Sequence, residues 1–279
     1  MNTKRINSTW LEKFPTFIID GIDNKRFLNG LTTSNLNQTS SNILKTCLLD
    51  PKGVLKALIE IHYINSHLLI LILEGDANAI RNRFEDMIFP NDKVEISSIQ
   101  NILRIQKVDN NFSWREHNPI LLNEDDYEEY ISKNSLSVMN SNDLKIWKIR
   151  QAIPLYNFEI DYKNNPLELG LADLIDFQKG CFLGQEMMAR LRKVSSLKQE
   201  IRLWKSNEII KNNELTNEKV YLENDRQKIV GHITRFAEIN KQEFIGLVLI
   251  KKNYLEGYSL FSNKFGKIEL HQSIGSIFS

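Results

Sequence analysis

Short apolar runs and amphipathic segments alternate along the chain up to about residue 108. The run TFIIDG, residues 16–21, predicts a buried strand that ends in a turn. The segment that follows predicts a short helix, with Asp23 as its N-cap and Phe27, Leu28 and Leu31 on its apolar side. The chain is therefore expected to begin with a strand and a helix.

A β-hairpin is predicted next, because two apolar runs flank the turn signature Asp50-Pro51-Lys52-Gly53. Further strands are predicted over 67–73, 94–99 and 103–108, and the apolar spacing of 76–89 predicts a helix. Strands and helices that are mixed with hairpins are typical of an α+β sheet domain rather than a doubly wound parallel sheet.

The middle of the chain is more polar. Residues 109–140 are rich in loop formers, with one acidic helix candidate near 125–132. Helices are predicted over 143–151, which contains Trp147, and over 183–193.

From about Lys198 onward, the pattern changes to short alternating runs separated by Asn, Gly and Asp turns. Short strands at such spacing predict a small antiparallel β-barrel. We therefore predict a boundary near residue 196, with two interleaved α+β subdomains over 1–196 and a β-barrel domain over 197–279. The six runs are QEIRLWKS, EKVYLEND, KIVGHITRF, FIGLVLI, GYSLFSN and GKIELHQ.

Composition narrows the class of protein. The 279 residues carry 36 Lys and Arg against 35 Asp and Glu, and this balance predicts no broad nucleic-acid or membrane surface. Cys47 and Cys181 are far apart and belong to no spaced set, so we expect no disulfide framework and a reducing compartment. The first residues lack the apolar core of a signal peptide. A cytoplasmic protein without membrane or direct nucleic-acid partners is expected.

Several common catalytic motifs are absent from the sequence. It contains neither G-x-G-x-x-G nor a P-loop, which predicts no nucleotide cradle. It also contains no H-E-x-x-H, C-x-x-C or G-x-S-x-G, so we expect neither a zinc site nor a hydrolase nucleophile elbow.

The segment FQKGCFLGQEMMAR offers the strongest candidate chemistry. Gly180 and Gly184 allow positive φ and close backbone approach on both sides of Cys181. A helix start after the thiol and the nearby cation Lys179 both favour a thiolate, whereas the carboxylate of Glu186 opposes it. A small apolar residue buried under a turn is the alternative, since free cysteines are often buried.

The same residues carry a resemblance to a known family. KGCFLGQEMMAR resembles the K-G-C-Y-x-G-Q-E signature of the YgfZ family, the folate-binding relatives of the glycine-cleavage T-protein. FLNGLTTSNL, LLDPKG, IRQAIPLY, NPLELGLADLIDFQKGC, IVGHITR and FIGLVLI resemble other family segments, and the match is weakest over 109–140. Within the signature, only phenylalanine in place of tyrosine departs from it. The motif residues are Lys179, Gly180, Cys181, Phe182, Gly184, Gln185 and Glu186.

The resemblance implies a fold and a function. The family fold is a three-domain ring of two ferredoxin-like α+β units and a C-terminal antiparallel β-barrel. The implied cofactor is tetrahydrofolate or a derivative. The implied role is support of the assembly or repair of iron–sulfur enzymes, including tRNA-modifying ones, with iron–sulfur client proteins as partners of a monomer. Cys181 becomes the implied functional centre, with Lys179 beside it.

Four residues are candidates for folate contacts under this resemblance. Glu168 would accept hydrogen bonds from the pterin edge, and Phe14 and Trp147 would stack against the rings. Arg190 would meet the glutamate tail. The alternatives are a solvated or helix-capping carboxylate, two ordinary core aromatic residues and a solvated basic residue near a helix C-terminus.

Two further functions stay open at this point. A folate-dependent one-carbon transferase like the T-protein would need an activating carboxylate, and the sequence does not reveal where Asp50 in the hairpin turn faces. The motif cysteine, which the transferases lack, favours the accessory role. A structural or interaction module without chemistry is the third interpretation.

Overall fold

A computed structural model describes residues 8–38, 42–193, 197–208 and 218–278. The helices are α1 (Asn24–Leu31), α2 (Ala77–Asp86), α3 (Tyr127–Lys133), α4 (Ser141–Arg150) and α5 (Gln185–Lys193). The strands are β1 (Ser8–Asp20), β2 (Ile43–Leu49), β3 (Leu55–Ile64), β4 (His67–Glu74), β5 (Glu95–Ile96), β6 (Gln100–Lys107), β7 (Ile120–Leu122), β8 (Ser137–Val138), β9 (Gln199–Ser206), β10 (Glu218–Leu222), β11 (Asp225–Asn240), β12 (Glu243–Lys251), β13 (Leu260–Ser262) and β14 (Gly266–His271).

The first strands form one sheet in the order β2-β3-β4-β1-β6-β7, and β5 and β8 also pair with β1. The pairs are antiparallel except β1 with β8. Alternation along a strand gives the sheet two apolar faces. Phe17 and Ile19 of β1 belong to the core with Phe27 of α1 and Phe84 of α2, so these helices cover one face.

The opposite face of the sheet belongs to a larger core. This core joins Trp10 and Phe14 of β1 to Trp147 of α4, Met188 of α5 and Leu247 of β12. The α+β sheet and the C-terminal strands therefore share apolar packing, which holds the segments around Cys181 and Trp147 in place.

All six C-terminal runs form strands, and they close into a barrel in the order β10-β11-β12-β9-β14-β13. Trp204 and Phe265 fill its interior, with ring centroids 4.7 Å apart. Closure leaves no unpaired edge, so the alternating pattern is satisfied within the barrel. The predicted boundary at residue 196 lies outside the described residues, and the division into two domains stays a prediction.

Some predicted limits of strands and helices were wrong. The strand expected over 94–99 is only β5, because β6 pairs with most of that edge of β1. The helix expected from residue 183 begins at Gln185, since Gly184 has φ +84°. Asp23 is the N-cap residue of α1, as predicted, but its side chain makes no cap bond and its carboxylate accepts the Lys93 N–H at 3.0 Å.

The remaining predictions agree in kind. The hairpin forms between β2 and β3, and the acidic helix candidate is α3. The short strands β7 and β8 were not predicted, because two or three residues carry no readable alternation. None of the helices in the described ranges is long and apolar enough to span a membrane.

Candidate functional site

Cys181 lies on the loop that joins a short 3₁₀ turn, Ala172–Leu174, to α5. Its side chain is exposed and forms no disulfide. The neighbouring Phe182 is buried in the larger core, and Lys179 is only 6% exposed. The loop therefore directs the thiol outward while the residues on either side anchor it. The buried filler role that remained open for Cys181 is excluded.

The ammonium of Lys179 is directed inward. Its Nζ donates hydrogen bonds to the carbonyl oxygens of Thr32 at 2.8 Å and Ser34 at 2.7 Å, and lies 5.4 Å from the ring centroid of Phe182. Burial lowers the pKa of Lys179 to about 8, with the nearby carboxylate of Asp176 acting in the opposite direction. Among the contacts of the described residues, this ammonium forms no hydrogen bond with the Cys181 thiol.

The segment after α1 receives the Cys181 loop. The hydroxyls of Thr33 and Ser34 both donate to the carbonyl oxygen of Leu174, at 2.6 and 2.8 Å. The Leu183 N–H donates to the carbonyl of Gly30 at 3.1 Å. Two segments that are far apart in the sequence, FLNGLTTSNL and the cysteine motif, are therefore joined by hydrogen bonds.

The hairpin turn lies against the other end of the motif. A β-carbon on Gly184 would lie 2.7 Å from the carbonyl oxygen of Asp50, so this contact requires glycine. On the turn itself, Gly53 has φ +76° and packs against the side chain of Met188. Gly180 does not use the freedom that the sequence allows it, because its φ is not positive and no heavy atom beyond its chain neighbours lies within 4 Å of the β-carbon position. Only one of the two flanking glycines is therefore required by its surroundings.

Helix α5 forms one wall of a surface groove of about 690 Å³ next to the cysteine loop. Gln185 and Glu186 line this groove, and the guanidinium of Arg192 lies 4.5 Å from the ring centroid of Phe177. Glu186 is exposed in the first turn of the helix, as the sequence predicted. Arg190 is also exposed on α5.

A larger cleft of about 910 Å³ lies between the 107–117 loop, β8, α4 and the end of β11. Trp147 forms part of its wall, and the indole Nε1 of this buried residue has no hydrogen-bond partner among the described residues. His117 also lines the cleft, and its Nε2 likewise has no partner there. Both atoms lie beneath the wall, so it is the size of the cleft and its polar and aromatic lining that make it a candidate ligand-binding surface.

The other predicted folate contacts lie elsewhere. Phe14 packs edge-on against Trp10, which also contacts Trp147, with ring centroids 6.0 and 5.5 Å apart. Glu168 is buried and exchanges hydrogen bonds with Asn165, and burial raises the pKa of its carboxyl despite these bonds. Phe14, Glu168 and Arg190 are not among the described residues that line the 910 Å³ cleft. Their contact with folate stays a prediction.

The sequence analysis missed a buried ion pair next to the aromatic rings of Trp10 and Phe14. Arg104 donates from Nε and Nη2 to the carboxylate of Glu60, both at 2.8 Å, and both residues are fully buried. The guanidinium also lies 4.3 Å from the ring centroid of Trp10. Strand alternation carried the signal, because Glu60 shares a sheet face with Leu58, which belongs to the larger core.

The carboxylate of Asp50, the acid of the hairpin turn, contacts nearby residues of the turn and of β3. Asp50 Oδ1 accepts the N–H groups of Lys52 at 2.9 Å and Val54 at 3.0 Å, and Oδ2 pairs with Lys56 at 3.2 Å. Partial burial acts to raise the pKa of Asp50, but these hydrogen bonds hold it below its ordinary value. Asp50 is therefore an ionised turn residue.

Comparisons with known proteins place this geometry in a known fold. The chain matches the crystal structure of glycine cleavage system aminomethyltransferase T from Bartonella henselae with a TM-score of 0.78, at 9% identity over 98% of this chain and 88% of that one. It is 25% identical over 210 residues to an uncharacterized protein of Haemophilus influenzae, spanning 70% of this chain and 72% of that protein. No protein-family model matches the sequence. The structural match confirms the predicted α+β fold with a C-terminal antiparallel β-barrel.

Proposed function

We propose that the protein binds a tetrahydrofolate in the cleft beside Trp147 and uses Cys181 in the support of iron–sulfur enzymes, including tRNA-modifying ones. The observation that carries the proposal is the outward thiol of Cys181 on a loop held by the buried residues Lys179 and Phe182. The resemblance of the surrounding motif to the YgfZ family supports the same role. The shared fold with an aminomethyltransferase agrees with folate as the ligand.

The residues of the cleft suit a folate. Its volume of about 910 Å³ lies within the range usual for small-molecule sites. The carboxylates of Asp109 and Asp143 line it and can accept N–H groups of a pterin, while the half-exposed ring of Phe112 offers an apolar surface. The ring of Trp147 adds aromatic surface to the wall, and Arg150 can meet a carboxylate of the tail. Bound tetrahydrofolate would supply the amines that carry one-carbon units.

The thiol is tested by Cys181→Ser in cells that lack the protein. We expect the variant to fold, to bind tetrahydrofolate as the wild type does, and to fail to restore iron–sulfur enzyme activity. Cys47→Ala is the control, because Cys47 is fully buried in β2 and burial raises the pKa of its thiol to about 12. Full rescue by the serine variant would remove the thiol from the proposed function.

A one-carbon transferase is the second candidate, and the structural match to an aminomethyltransferase favours it. Asp50 is the acid that the sequence offered for this reaction. Both of its carboxylate oxygens already contact the hairpin turn or Lys56. The distinguishing assay is the formation of methylene-tetrahydrofolate from an aminomethyl donor. Product formed at a rate that depends on the protein would replace the accessory role with the transferase.

A further inference from the structure

We propose that Lys179 is a positioning residue for Cys181. Its side chain holds the cysteine loop against the segment after α1 by hydrogen bonds, and its positive charge does not lower the pKa of the thiol. The importance of the thiol itself rests on the function proposed above. The positioning role of Lys179 does not depend on that function and can be tested separately.

The tie is made by one side chain across a large sequence separation. Lys179 and its two acceptors, Thr32 and Ser34, are 147 and 145 positions apart, and the hydrogen bonds are buried. Without the amine, two carbonyl oxygens would be left buried without these donors, which is costly in a protein interior. Lys179 therefore stabilises this one arrangement of the loop against the segment.

Backbone hydrogen bonds flank the tie on both sides. The Asp176 N–H donates to the carbonyl of Thr33 at 2.9 Å, and the Leu183 N–H donates to the carbonyl of Gly30 at 3.1 Å. Lys179 lies between these two points in the sequence. Its side chain therefore contacts the segment after α1 between these two backbone hydrogen bonds, close in sequence to the exposed thiol.

The charge on Lys179 is held away from the reactive surface. The ammonium is buried beneath the ring of Phe182, whereas Cys181 is exposed. The charged group that acts on Lys179 is the carboxylate of Asp176, on the same loop. With a pKa of about 8, the side chain titrates near neutral pH, but a neutral amine keeps two N–H groups for its two carbonyl acceptors. The tie therefore persists on both sides of the titration, as a role in positioning requires.

The first test uses Lys179→Met in the full chain, which keeps the length of the side chain and removes the donors. We expect amide hydrogen exchange in residues 176–184 to rise at least about tenfold. The midpoint of Cys181 alkylation by iodoacetamide against pH should stay unchanged. An ammonium near a thiol would lower its pKa by about one unit or more, so an upward shift of that size in the variant would overturn the proposal. Unchanged exchange in the loop would overturn it as well.

Lys45→Met is the matched control, because Lys45 is also buried and donates to two backbone carbonyls, those of Arg115 and His117. It should leave exchange in the cysteine loop unchanged.

A second measurement needs no variant at Lys179, namely the titration of the Lys179 side chain by NMR in the wild type and in Cys181→Ser. Equal midpoints are expected, whereas a lower midpoint in the serine variant would show that the ammonium senses the thiolate. Rescue of cells by Cys181→Ser would end the proposed function and leave these exchange results standing.

Discussion

Gly184 and Asp50 approach each other so closely that a β-carbon on the glycine would lie 2.7 Å from the carbonyl oxygen of the aspartate. Through this contact the cysteine loop rests on the hairpin turn, although the two segments are far apart in the sequence. Gly184 also has φ +84°, a conformation that other residues adopt only with strain.

Gly184→Ala should therefore lower the free energy of unfolding by about 2 kcal/mol, since both the clash and the positive φ act against alanine. Urea denaturation measures the change. Gly180→Ala is the internal control, because its β-carbon position is open and its φ is not positive. That variant should stay within about 0.5 kcal/mol of the wild type. Equal losses in both variants would contradict the assigned contact.

In the proposed folate site, Trp147→Phe should weaken tetrahydrofolate binding about fivefold, because the smaller ring removes about 1 kcal/mol of aromatic contact from the wall of the cleft. Isothermal titration calorimetry gives the Kd. Trp204→Phe is the matched control, since Trp204 lies inside the barrel. An unchanged Kd in the Trp147 variant would place the folate elsewhere.

Glu60→Gln should destabilise the protein by about 3–5 kcal/mol, because it leaves the guanidinium of Arg104 buried without its carboxylate. Hydrogen bonds and charge from Arg104 outweigh burial and hold the pKa of Glu60 well below its ordinary range, so the pair stays ionised at neutral pH. Glu85→Gln, which breaks the more exposed pair with Arg81, should cost about 0.5 kcal/mol or less. A comparable small loss for Glu60→Gln would show that the pair is not buried as described.

Glu74→Gln should change how stability depends on pH. Burial raises the pKa of Glu74 from 4.5 to about 7, even though its Oε2 accepts the Tyr156 N–H at 2.9 Å. Between these two values the folded state binds more protons than the unfolded state. Stability contributed by this group is therefore fully present below pH 4.5 and is lost as the pH rises through 7.

The full change from this one group amounts to about 3 kcal/mol at most. Thermal unfolding of the wild type and of Glu74→Gln between pH 4.5 and 8 would measure it, and the variant should lose this part of the pH dependence. Glu128→Gln on the exposed surface of α3 serves as the control. Parallel curves for the wild type and Glu74→Gln would show that Glu74 does not titrate in this range.

Local patterns carried most of the fold. The Asp50–Gly53 turn predicted the hairpin correctly because turn chemistry depends on a few adjacent residues. The six C-terminal runs predicted the barrel strands because alternation is read along a single strand. The wrong limits fall where another segment decides the outcome, as at 94–99, where β6 already pairs with most of the available edge of β1.

The candidate site also has features that the sequence predicted and features that only the structure shows. Adjacent residues made Cys181 a candidate, its resemblance to a family signature singled it out, and the structure shows the thiol exposed on its loop. The target of the Lys179 amine was not readable, because Thr32 and Ser34 are brought near it only by packing of the larger core. The cleft beside Trp147 is likewise built from four separate segments.

The sequence by itself therefore determined the α+β class and the barrel strands, because these depend on periodicity and turn chemistry within short windows. Only the tertiary structure decided which way Lys179 faces, which glycine of the motif is required, and that Glu60 and Arg104 form a buried pair. These features depend on burial and on contacts between distant segments, which no local pattern specifies.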